Sequence, residues 1–301
     1  MRIKSLSIAT AALITVVSFS GCSDNKKVSS NVAQVPTTGA ILPRSVLDAS
    51  IDDGAKPGFK MEVRNGGYGS AASADPKNIN RFYALTDRGA NATYTGEDGK
   101  GKIFPTPDYT PRIGHFEIQQ DGSVKNIGDI LLKDTSGNNI TGLPNSSALG
   151  GTGETPYDKD GNTIKNSDGT IKTDDFGLDG EGLAVLKDGT FWVSDEYGPH
   201  MVHFDATGKE IGRINAFGND ARNIYTLPAE FKNRRANRGM EGLTITPDQK
   251  TLVGIMQSTM YNPSSAVKTL DITRIVTVNL EDGSIGQYLY KKKLQQTPTL
   301  K

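Results

Sequence analysis

A chain of 301 residues is long enough for one large domain or two ordinary ones, and 34 glycines against 7% aromatic residues favour many turns and short strands over long helices. Lysine plus arginine balance aspartate plus glutamate at 34 each, so the overall field offers no attraction to nucleic acid. A single cysteine excludes a disulfide within the chain.

The first residues, MRIKSLSIATAALITVVSFSGC, begin basic at Arg2 and Lys4, run apolar from Leu6 to Val17 and end small before Cys22. This is the pattern of an export signal over residues 1–21, because its apolar run falls short of the roughly 20 residues a spanning helix needs. The FSGC ending resembles a bacterial lipoprotein lipobox, with Phe19 where leucine is more usual. Cys22 is therefore the expected lipidation site. The expected location is the bacterial cell envelope, outer membrane or periplasm, with membrane contact through the lipid alone. Residues 22–40 are polar, lack apolar periodicity and read as a flexible tether ahead of a domain spanning residues 41–301.

Along that domain one unit recurs. Its first copy is GYGSAAS, RFYALTD, an insertion, RIGHFEI and VKNIGDILL; its second is EGLAVL, FWVSDE, HMVHFD and EIGRI. The third reads EGLTIT, TLVGIMQ, RIVTVNL and IGQYLYKK, and most joints carry Asp-Gly or Thr-Gly turn signals. Four short strands in sequence make an antiparallel meander, and repeated meanders are the blades of a β-propeller. The expected fold is thus all-β, a propeller of four-stranded antiparallel blades that is incomplete at its C-terminal end. A sandwich would space its strands as evenly, but has no reason to repeat EGL at one strand end. Residues 40–63 and the first insertion together are candidates for a further blade. The stretch DKDGNTIKNSDGTIKTDD reads as hairpins on Asp-Gly turns; Asp158 and Asp160 fall at positions one and three of a calcium loop, but the glycine is misplaced and Gly169 stands where the closing glutamate should be.

The carboxylates gather at one set of strand ends. Glu181 and Glu241 open equivalent first strands, where the first copy has Gly66 and Gly67. Asp87 and Asp195 close equivalent second strands, with Glu196 beside the latter. In an antiparallel meander these ends share one edge, so the acids are expected at the rim where blades converge. Crowded carboxylates repel unless a cation sits between them, and oxygen ligands alone favour calcium over magnesium. Asp87, Glu181, Asp195, Glu196 and Glu241 are therefore the candidate metal ligands. Arg88 and Arg238 are candidates to bind an anionic substrate. His200 is a candidate acid or base, although its position on the strand favours the surface.

The blocks FYALTDRG, DGEGLAVLKDGTFWVSDEYGP with HFDATGKEIGRI, and LPAEFKNRRANRGMEGLTITPDQKTLVGIMQS resemble the phytase-like family described as having esterase-like activity of phytase. The resemblance covers residues 66–290 and implies an exported or lipid-anchored propeller acting as a calcium-assisted phosphoesterase or esterase. On this reading Glu181, Asp195 and His200 carry the chemistry, on a small anionic ester, in a monomer. The acid-rich motifs of alkaline propeller phytases are absent, so phytate specificity is not implied. A non-catalytic envelope propeller that binds a ligand or partner protein around structural calcium is the alternative.

Overall fold

The computed structural model describes residues 42, 45–52, 58–65 and 67–292. The expected signal, Cys22, the whole of the tether and Gly66 lie outside these residues. In chain order the strands begin with β1 (Val46–Asp52), β2 (Lys60–Arg64), β3 (Ala71–Ala74), β4 (Arg81–Leu85), β5 (Ala92–Gly96) and β6 (Gly99–Ile103). Next come β7 (Arg112–Ile118), β8 (Val124–Leu131), β9 (Thr155–Tyr157), β10 (Gly180–Val185), β11 (Phe191–Asp195) and β12 (His200–Phe204). The last are β13 (Glu210–Asn215), β14 (Asn223–Thr226), β15 (Met240–Ile245), β16 (Thr251–Met256), β17 (Ile272–Asn279) and β18 (Ile285–Lys291).

Three of the sheets are the expected meanders: β3-β4-β7-β8, β10-β11-β12-β13 and β15-β16-β17-β18, each antiparallel throughout. Several of their turns share one device, in which an aspartate accepts hydrogen bonds from residues just ahead while glycine takes a positive φ. Asp188 receives the Thr190 amide at 2.9 Å beside Gly189, and Asp205 receives the Thr207 amide at 2.8 Å beside Gly208. Asp282 does the same for Ser284 beside Gly283. These reversals are thus written locally, which is why the strands they join fall where the sequence places them.

Two features depart from expectation. The second meander carries a fifth strand, β14, paired in parallel with β13. Residues 40–63 and the first insertion do not combine into a blade. Instead β1 and β2 form a two-stranded ribbon, and β5, β6 and β9 form a separate three-stranded sheet. The Asp-Gly hairpins after β9 close through the bridges Tyr157 to Thr163 and Lys165 to Ile171.

The meanders stack as blades: the first strand of the middle one, β10, lies against β3 and β4 on one side and β15 on the other. Two cores fill the gaps between them. Leu85, Ile113, Leu183, Phe191, Val193 and Phe204 fill the first; Trp192, Met201, Ile214, Met240, Leu252 and Val276 fill the second. Each of these side chains is at least nine-tenths buried, contributing about 1.5–3 kcal/mol. On the far side of the third blade, Tyr288 and Tyr290 stay exposed.

Candidate acidic centre at the blade rim

Pairing of β10 with β11 slips by one residue between Gly180 and Gly182, and pairing of β15 with β16 slips identically between Met240 and Gly242. Glu181 and Glu241 are the extra residues of these two bulges. A bulge turns its side chain out of the normal alternation, and it does so here at the strand ends that face the blade junction. Repetition of the bulge, not of the glutamate alone, brings the two acids to the same rim.

Around Glu181 the structure assembles Asp179, Glu181 and Glu196, each offering an oxygen within 4.8 Å of the others. Burial comes first among the causes that raise all three carboxyls above the ordinary carboxylate range, and mutual repulsion adds to it. Glu181 is pushed up to about 8, with Asp179, Glu241, Asp87 and Asp195 all repelling its charge. Glu241 also repels Glu196, and its Oε1 is buried without a hydrogen-bond partner. Asp87 borders the group; burial raises its carboxyl, which accepts the Gly89 amide at 2.8 Å. An oxygen-only donor set, partly dehydrated and with one member, Asp179, paired to Arg88, is chemically suited to a hard divalent cation.

Asp195 has a different role from the one its sequence position suggests. It is fully buried, and its two oxygens accept the amides of Asp179 at 2.9 Å and Gly198 at 2.8 Å. It therefore ties the entry of β10 to the turn after β11, beneath the oxygens that converge. Burial still lifts its carboxyl to about 7. Asp179 stands in the convergent set where the sequence suggested Asp195. Because Asp179 precedes the repeated EGL and has no counterpart in the other copies, alignment of the repeats does not single it out.

Arg88 lies at the rim but is fully engaged. Its guanidinium pairs with Asp179 at 3.1 Å and Glu154 at 3.1 Å and donates to the Tyr197 hydroxyl at 3.3 Å. Glu154 comes from the Gly-rich insertion and carries no sequence signal of its own. Arg238 is exposed and bridges Arg235 through the backbone. From the same basic run it is Arg234 that turns inward, donating to the carbonyls of Tyr197 and Gly150. The run KNRRANR, Lys232 to Arg238, thus contains one buried clamp.

His200 overturns the surface expectation. It is fully buried, with Nε2 3.2 Å from Asn145 Oδ1 and the ring near Phe217. Burial, followed by Arg213 and Arg222, lowers its pKa far below the ordinary value, so the imidazole is neutral. His203 faces the other way, as the odd spacing requires, and stacks on Trp192 at 4.4 Å.

The family described as phytase-like, with esterase-like activity of phytase, matches residues 64–299. An uncharacterized secreted protein of Arthroderma benhamiae is 32% identical over 171 residues, which are 48% of this chain and 33% of that protein. The chain thus spans about a third of the length of that relative. Among solved structures, a Lactobacillus plantarum protein matches at 10% identity over 79% of this chain and 61% of its own, with a TM-score of 0.30. A virginiamycin B lyase from Staphylococcus aureus matches at 12% identity over 72% and 68%, with a TM-score of 0.26.

Proposed function

The chain belongs to the phytase-like family with esterase-like activity of phytase, and from that premise we propose that it is an exported hydrolase of phosphate or carboxylate esters assisted by a calcium ion at the blade rim. The observation that carries this reading is the convergence of Asp179, Glu181 and Glu196 within 4.8 Å. These three would hold the cation, and Asp87 and Glu241 border them. Such an ion supplies polarisation of an ester oxygen and a more acidic water.

The remaining roles belong to the chain itself. Arg88 pins Asp179 through a buried ion pair and so fixes one carboxylate of the set. Asp195 holds the β10 entry against the following turn through two amides. Glu241 adds a buried oxygen without a hydrogen-bond partner to the same rim, which adds to the negative charge that a bound cation would offset. His200 is buried and neutral, and it supports the β12 entry through Asn145.

Location outside the cytoplasm is supported by the export pattern of residues 1–21 and by the secreted relative. Anchoring through Cys22, in a monomer, completes the reading. A binding module with a purely structural ion is the second reading, and it is favoured by the full engagement of Arg88 and Asp195 with protein groups. Turnover of p-nitrophenyl acetate and p-nitrophenyl phosphate, with and without chelator, separates the two. Chelator-sensitive turnover that Glu181→Gln abolishes supports the hydrolase; a chelator effect on melting with no turnover of either ester rejects it.

A further inference from the structure

A cavity of about 370 Å³ opens at the outer half of the first blade's rim, lined among others by Thr106, Asp108, Tyr109, Arg112 and Leu131. It lies at the same sheet edge as the acidic centre. Arg112 opens β7 opposite Leu131, and its backbone carbonyl accepts the Thr86 amide at 3.0 Å, one residue before Asp87. Tyr109 links the two places directly. Its ring packs so closely on Gly89 that a Cβ there would fall 2.6 Å from Tyr109 Cδ1, and Gly89 caps Asp87.

Arg112 differs from the other inward arginines of this rim. Arg88 is spent on two carboxylates and Arg234 on two carbonyls. The Arg112 Nε donates to the Thr110 carbonyl at 3.3 Å and the guanidinium lies 5.2 Å from the Tyr109 ring centre. Among the described residues no carboxylate forms an ion pair with it. Beside it, the Tyr109 hydroxyl lies near Thr86 and Arg112 yet makes no hydrogen bond of normal geometry, and Tyr109 is 6% exposed. Thr106 Oγ1 is likewise buried without a partner. Burial keeps the phenol above its ordinary pKa, so it remains a donor. Leaving a buried hydroxyl unsatisfied is costly, and a ligand oxygen removes that cost.

We infer that this cavity is an oxyanion subsite of the proposed hydrolase, taking a single phosphate group on Arg112, Tyr109 and Thr106. The assignment rests on the hydrolase reading for its purpose but not for its chemistry. A guanidinium fork and two hydroxyls line the one cavity, and three donor groups match the several oxygens of a phosphate. Asp108, exposed on the same wall, repels further negative charge and so disfavours polyanions.

Titrating the purified chain with inorganic phosphate by calorimetry tests the subsite without reference to turnover. Arg112→Gln is expected to weaken phosphate binding about tenfold or more, with Arg112→Lys recovering part of it and Tyr109→Phe losing about fivefold. Melting in phosphate-free buffer confirms that each variant folds. Phosphate affinity that is absent in the parent chain, or unchanged in folded Arg112→Gln, overturns the subsite. Ester turnover is read separately: phosphate binding lost in Arg112→Gln without any parental turnover keeps the subsite and sinks the hydrolase.

Discussion

The backbone of Leu243 lies against Gly182 so closely that a Cβ on Gly182 would fall 2.6 Å from the Leu243 amide nitrogen and 2.8 Å from its Cβ. This is where the first strand of the third blade crosses that of the second, and only glycine leaves room for it.

Gly182→Ala must therefore push two sheets apart. The expected cost is about 1–3 kcal/mol, the usual range for overpacking a filled contact. Gly242, its counterpart in the third blade, meets only the Ile255 methyl of its own sheet, at 2.7 Å. That methyl can turn away, so Gly242→Ala should cost less. Urea unfolding of the two variants checks the order, and equal losses would contradict the crossing.

Arg88 and Asp179 form a pair with side chains only 6% and 4% exposed. Removing one partner leaves a buried charge unanswered, so Arg88→Met should destabilise by about 3–5 kcal/mol. The double variant Arg88→Met/Asp179→Asn should recover much of that loss, because neither charge then remains. A double-mutant cycle by chemical denaturation reads the coupling directly. Additive losses would show that the pair does not act as a unit.

The raised carboxyls fix the direction of the pH response. Glu181 carries a folded value of about 8 against 4.5 for the free group, so the folded, ion-free chain binds more protons than the unfolded one between those limits. Stability without calcium should fall as pH rises through that window. Calcium replaces those protons, so its effect on melting should be small near about pH 5 and large near about pH 8. Glu181→Gln should flatten both trends and raise the ion-free melting temperature at the alkaline end. Melting curves in calcium and in chelator, across that range, test all three statements. A calcium shift independent of pH would mean that the ion, if bound, lies elsewhere.

The strand positions of the three blades were legible because the information is local: an aspartate and a glycine at the turn, with β-branched and aromatic residues on either side. β14 was not, since its parallel pairing follows from Asn223 and the loop just before it reaching back to β13 rather than from a turn signal. Asn223 binds Asn215 and the Phe217 carbonyl, and Asp220 holds Arg222 at 2.7 Å. At the rim, repetition revealed Glu181 and Glu241 because both occupy the same bulge. It passed over Asp179 and Glu154, which occur once each and matter through the charges they meet across blade boundaries. Arg88 illustrates the same limit in reverse, since the sequence shows a cation beside an acid but not that two carboxylates and a phenol already surround it.

The bulged glutamates have a consequence for how the molecule matures. Glu181 and Glu241 come from different sheets and approach only when those sheets stack, with Asp179 held by a loop of yet another. The second sheet by itself carries Asp179, Glu181 and Glu196, and its neighbours add the bordering Asp87 and Glu241 and the Arg88 that pins Asp179. On the proposed reading, the full crowding of charge at the rim arises late, with the docking of the blades, so a refolding chain's capture of calcium should strengthen as the neighbouring sheets meet the second one.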